Sequence, residues 1–190
     1  NAIYTVFKKA LPYCLIYFFA IYCMSQEHLL PFYFKQESTI PSFMGWALAL
    51  NPMIVVLFQG MMSKLFLKLH KKDESLAIRI GFIFCLVGFI VFASLTTPHK
   101  IWVFALMLTI GEMLIVPHMD YLFSLRIPDH ARSYVFATTG AMFAAGRSIA
   151  SGGGIFVLGY LSRNSLSLNL WWWGNVAILG VVLAIVDYFS

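Results

Sequence analysis

Apolar residues run through this chain in long unbroken stretches, not in alternation with polar ones. Six such segments lie at about 10–34, 42–67, 76–96, 101–125, 133–160 and 170–189. Each is long enough to cross roughly 30 Å of hydrocarbon as an α-helix. Barrel strands would show shorter segments of alternating polarity, so the continuity predicts helices. The connections are short, the most charged being 69–75, which leaves no room for a globular catalytic or regulatory module. The expected fold is an all-α membrane bundle of six transmembrane helices, a single unit over residues 1–190.

Composition excludes a water-soluble alternative. Of 190 residues, 61% are hydrophobic and 11% charged, and mean hydropathy is +0.82. Soluble domains carry about 25% charged residues. The net charge of +5 does not indicate a nucleic-acid partner, because the basic residues flank the apolar segments. Lys8, Lys9, Lys64, Lys68, Lys71, Lys72, Arg79, Arg126 and Arg132 fall on one side, and Lys35, Lys100 and Arg163 on the other. Nine against three makes the first side cytoplasmic, with both termini there. Trp46, Trp102, Trp171, Trp172 and Trp173 begin the second, fourth and sixth segments, at the outer headgroup zone. Asp187 falls near the inner interface, where solvation suffices for it. The expected location is a plasma or bacterial inner membrane. The first segment lacks the short apolar core and small-residue cleavage site of a signal peptide. A chain that starts at Asn1 and stops just past its sixth segment is expected to be part of something longer. Cys14, Cys23 and Cys85 all lie inside segments, as packed or lipid-facing thiols and not a disulfide framework.

Charges inside the membrane carry the candidate chemistry. Glu112 sits within an apolar run and costs roughly 2.5–3.5 kcal/mol to insert. Counted from the segment ends, Glu112 lies about 16 Å and Arg147 about 21 Å into the bilayer, both near its middle. They could pair as a structural lock between the fourth and fifth segments. They could instead line a cavity, Glu112 titrating and Arg147 offering its donor fork to a carboxylate or phosphate. Glu27 is either a second cavity acid or an interfacial carboxylate. Its neighbour His28 points about 100° away on a helix, so the two are not expected to face one cavity centre. Asn51 and Gln59 are candidates for the cavity wall or for interhelical hydrogen bonds. Asp120, with Arg126 or Arg132, is a candidate gate at one end. His118 reads as a packed polar residue or a proton relay.

A weak internal repeat adds to this. Glu27-His-Leu-Leu-Pro31 and Glu112-Met-Leu-Ile-Val-Pro117 place an acid and then a proline in the first and fourth segments. A proline removes a backbone donor and frees a carbonyl near a cavity. Three segments followed by three fit a 3+3 inverted repeat. The fifth segment holds Gly140, Gly146, Gly152, Gly153, Gly154 and Gly159, which suit close helix packing or a bending point. Ile149-Ala-Ser-Gly152 is similar to the serine motif of rhomboid proteases, but no histidine follows His130 to activate Ser151. The five histidines show no metal-ligand spacing, and no glycine motif cradles a phosphate. No enzyme activity, metal or cofactor is expected.

Three motifs resemble the major facilitator superfamily, specifically its C-terminal six-helix half. Gly111-Glu-Met-Leu-Ile-Val-Pro117 is similar to the signature of that superfamily's tenth helix. Arg126-Ile-Pro-Asp-His-Ala-Arg132 resembles the link that follows it. Gly60-Met-Met-Ser-Lys64 with Lys71 and Lys72 resembles a degraded basic loop motif, lacking the Asp after the glycine. Ala49-Leu-Asn-Pro52 and Ser25-Gln-Glu27 are similar to elements of the proton-dependent oligopeptide transporters, although Val116 replaces the usual Ser before Pro117. The resemblance implies half of a twelve-helix secondary transporter that works by alternating access with a second six-helix half. It implies proton coupling and a small organic substrate such as a peptide, with Glu112 at the position that meets a peptide amino terminus. A drug or metabolite exporter, or a non-transporting scaffold subunit, are the alternatives.

Overall fold

The first apolar segment folds in three pieces where one helix was expected. In the computed structural model, which describes residues 2–38, 40–70, 75–126 and 128–188, α1 (Ala2–Met24) passes into a 3-10 turn (Ser25–Leu29) and then into α2 (Leu30–Gln36). Pro31 supplies the reason. In an unbroken α-helix its N–H would donate to the carbonyl of Glu27, and proline has none. The Leu30 N–H takes that carbonyl instead, one residue closer, which is the tighter 3-10 pattern.

The other segments follow the expected order with bounds shifted by a few residues. They are α3 (Met44–His70), α4 (Leu76–Ser94), α5 (Lys100–Arg126), α6 (Asp129–Ser148), α7 (Gly154–Arg163) and α8 (Asn169–Tyr188). A π-helical turn, Ile149–Gly153, joins α6 to α7. There the Ser151 hydroxyl donates to the Arg147 carbonyl at 2.7 Å, a back-bond that bends helices, and glycines follow at 152, 153 and 154. Pro52 and Pro117 sit inside α3 and α5 without breaking them. Five stretches among the described residues are long and apolar enough to cross a membrane: Met44–Met62, Leu76–Ser94, Lys100–Phe123, Ala131–Arg163 and Asn169–Tyr188. The interrupted first segment is not among them, and no described residue is in a strand.

Packing centres on α4, α5 and α8. Gly81 and Gly111 face each other, each lying against the other's carbonyl, so α4 and α5 approach as closely as small residues permit. Phe82, Phe89, Phe92, Phe104 and Trp172 are fully buried, and the last four meet edge-on or tilted, with Phe92 and Trp172 centroids 4.5 Å apart. Trp172 thus packs among neighbouring helices, whereas Trp173 beside it is exposed. Successive residues on a helix point about 100° apart, so three in a row cannot share one surface. Trp46 and Trp173 are exposed. All three cysteines are buried and free.

One end of the bundle is clasped by a buried cation. Lys100, only 4% exposed, donates from Nζ to Tyr33 Oη at 3.1 Å. Tyr33 in turn donates to Asn169 Oδ1 at 2.8 Å. The ammonium lies 4.4 Å from the Phe92 ring centre and 4.9 Å from that of Tyr33, in reach of cation–π attraction. Gln36 accepts from Ser162 at 2.8 Å and Gln26 from Trp171 at 3.0 Å. These bonds join the α2 side of the first segment to α5, α7 and α8. Elsewhere Arg79 pairs with Asp187 at 3.1 Å across α4 and α8. This corrects the expectation that Asp187 is merely solvated: a packed partner helix brings a cation to it.

Replacing Tyr33 by Phe removes the acceptor of a buried ammonium and the donor to Asn169. It should cost about 1–3 kcal/mol or more, whereas Lys100→Met, which removes the charge itself and leaves no orphaned ion, should cost less. Thermal unfolding of the two variants of the full protein, side by side, checks that order.

Candidate functional site

Three elements bring polar side chains to one point. Asn51 lies in α3, immediately before Pro52. Glu112 lies near the middle of α5, held by the tight α4–α5 contact at Gly111. Glu27 lies in the 3-10 turn. Asn51 Nδ2 donates to Glu27 Oε2 at 3.1 Å and to Glu112 Oε2 at 3.2 Å. An amide nitrogen carries two hydrogens, so each carboxylate can take one. Two acids from separate elements are thereby joined through a single neutral residue.

This trio lines a cavity of about 430 Å³. Met24, Ser25, Val55 and Phe143 contribute to its wall, together with His28 and Arg147. The acidic side is formed by Glu27 and Glu112, and the Arg147 guanidinium, carried on α6, bears electrostatically on Glu27. An open cavity with carboxylates on one wall and a guanidinium on another can bind a proton, a cationic group or a molecule carrying both charges.

The geometry differs from the sequence reading at several points. Glu112 and Arg147 share the cavity but form no ion pair with each other; Glu112 accepts from Asn51 instead. Glu27 and His28 diverge as their spacing requires, with Glu27 meeting Asn51 and His28 exposed, yet both line the same cavity because it wraps around the projecting turn. Gln59 lies two turns along α3 from Asn51 and does not line it. Neither do Asp120 or Arg132, both exposed toward another part of the molecule. The side chain of Arg126, and Lys71 and Lys72, lie outside the described residues. His118 is buried and packs its ring near Tyr121. No group of three or more metal-ligating side chains assembles among the described residues. Val55 and Phe143 carry no charge or motif, and nothing in the sequence marked them as cavity residues.

With this geometry in place, comparison with known proteins identifies the class. The chain matches the Major Facilitator Superfamily over residues 2–151 and belongs to that family. It is accordingly an integral membrane protein of a transporter family. No curated protein and no solved structure matches it significantly.

Val55→Cys and Phe143→Cys, placed on the cavity wall of the full protein, should react with a small water-soluble methanethiosulfonate. Cys14, Cys23 and Cys85, which are buried, should stay unmodified in the same minutes, so each variant should gain one label over the unsubstituted protein. Intact-mass measurement checks this.

Proposed function

We propose that this chain is one half of a proton-coupled secondary transporter that moves a small organic solute, such as a peptide, by alternating access. The observation that carries this reading is the meeting of Glu27, Asn51 and Glu112 from three separate elements on one cavity wall. A residue pair that served only to lock two helices would need no cavity and no second acid. Intramembrane carboxylates facing a polar space mark ion and substrate paths. In this reading Glu112, with Glu27, takes up the proton or a cationic substrate group. Asn51 holds the two acids together, and Arg147 holds the opposite charge of the substrate. Asp120, Arg126 and Arg132 gate the end away from the Lys100 clasp.

The missing partner is a second six-helix half, on the same or another polypeptide. Two helices that flank the cavity support this. Only 11% of the apolar window of α3 is buried inside the bundle, and 22% of that running through α6 and α7, against 56% for α5. Helices so sparsely covered, beside a site open between them, suit a partner bundle that completes the wall. The excess of basic residues on one side supports cytoplasmic termini, in a plasma or bacterial inner membrane. The acid–proline pattern supports a 3+3 inverted repeat, in which only the first copy has opened its helix. The scaffold alternative loses its motive, since it required Glu112 and Arg147 to pair. An exporter of drugs or metabolites uses the same cavity and differs in substrate and direction.

Reconstituted in proteoliposomes with a trapped pH dye, the full-length protein should move protons with its substrate when dipeptides, organic amines and nucleosides are offered in turn. Glu112→Gln should lower that coupled flux at least tenfold, and Arg147→Lys should weaken apparent affinity. Undiminished, still proton-coupled flux in Glu112→Gln sinks the assignment.

A further inference from the structure

We infer that the 3-10 turn at Ser25–Leu29 and the π turn at Ile149–Gly153 form one hinge, about which α1 and α6 swing as a pair, and that the Asn51–Glu27 hydrogen bond is its latch. This does not depend on what is transported. The observations are independent of one another. Both irregular turns occur in otherwise helical segments, and both lie beside the same cavity, one carrying Glu27 and the other following Arg147. They are also fixed to each other on both sides.

On one side, Gly146 lies against the backbone of α1. A Cβ there would stand 2.9 Å from the Phe18 carbonyl oxygen and 3.2 Å from the Tyr22 nitrogen. Backbone in contact with backbone leaves α6 no freedom to move without α1. On the other side, the Leu29 side chain fills the place that a Cβ on Gly154 would take. The end of the 3-10 turn is thereby seated on the start of α7. The two segments bend at matching points and are joined before and after the bend.

The α2–α7 side of the hinge is the fixed side. Tyr33 is tied to Lys100 and Asn169, Gln36 to Ser162 and Gln26 to Trp171. The bonds of Tyr33 and Gln36 hold α2 to α5, α7 and α8, and that of Gln26 holds the turn itself to α8. The α1–α6 side meets the rest through apolar packing, with Cys14, Ile16 and Ala20 of α1 buried. The ring contact from α1 to α5 is Tyr17 against Phe123, edge-on at 6.3 Å between centroids. The turn itself is held to α3 by the Asn51–Glu27 bond at 3.1 Å. Hinges absorb motion at a few residues whose backbone departs from the regular ladder. Here such residues occur in both members of a packed pair, at one level, with a cavity carboxylate on one of them.

Double electron–electron resonance on the full-length protein in nanodiscs tests this with three label pairs at exposed positions: Leu15 with Phe136, Leu15 with Leu125, and Lys35 with Tyr160. Removal of the latch by Asn51→Ala should shift or broaden the Leu15–Leu125 distance by several ångströms. The Leu15–Phe136 and Lys35–Tyr160 distances should stay as they are in the unsubstituted protein. Glu27→Ala, which removes the other half of the same bond, should give the same result and guards against a variant that fails to fold. An unchanged Leu15–Leu125 distance in both variants overturns the latch. A change in Leu15–Phe136 overturns the paired motion.

Discussion

A backbone polar group left unpaired in hydrocarbon costs several kcal/mol. That constraint decides where this chain can depart from regular helix. Proline at position 31 takes away one donor, and the chain answers by tightening a turn so that Leu30 serves the same carbonyl. Around Gly153 the N–H of Gly154 reaches both Ala150 and Ser151. Each irregular turn is repaired locally, and the two are seated on each other through Leu29 and Gly154. The site follows from this placement. The only stretch of the first segment free to push a carboxylate toward α3 and α5 is the one where its helix has already been opened.

The polar side chains obey the same rule on a larger scale. Asn51 can meet two carboxylates because it stands on a third element between them. Among the described residues Lys100 reaches no carboxylate at hydrogen-bonding distance, and its charge is accommodated by a phenol oxygen and two aromatic faces. In both clusters a group that would be costly alone is held by partners from other helices, so each cluster is also a statement about which helices must stay together. Arg79 and Asp187 do this at a more exposed site, where solvent screening leaves such a pair worth little.

Much of the architecture was legible in the sequence, and for a physical reason. Continuous apolar runs fix where helices cross, so the boundaries of α4, α5 and α8 came within a residue or two. The broken first and fifth segments were not legible, because α, 3-10 and π turns can all be built from the same apolar residues. Pro31 and the glycines at 152–154 marked the neighbourhood of each break without giving its register. Glu27, Asn51, Glu112 and Arg147 could each be named from depth and polarity. Their mutual arrangement could not, since it depends on how three separate elements rotate about their axes. The sequence placed Glu112 opposite Arg147 because both lie at the same depth. Depth is one coordinate, and the partner that Glu112 meets is Asn51 on α3. The burial of Lys100 was not legible for a similar reason. A lysine at the end of a span can snorkel to the interface or turn inward, and only the aromatic surroundings of Tyr33 and Phe92 decide between the two.

The two polar clusters differ in what they permit. At the clasp, Tyr33 and Asn169 lie on regular helices, so separating them would mean moving whole helices against a packed aromatic core. At the site, Glu27 lies on a turn whose backbone bonds already depart from the α-pattern. It can withdraw from Asn51 by a local change in that turn without unpairing a ladder in hydrocarbon. Asn51 and Glu112 have no such freedom, since α3 and α5 run unbroken through their prolines. A change in charge at the shared amide therefore acts on Glu27 before it acts on Glu112, and through Glu27 on the one place where the first segment can bend.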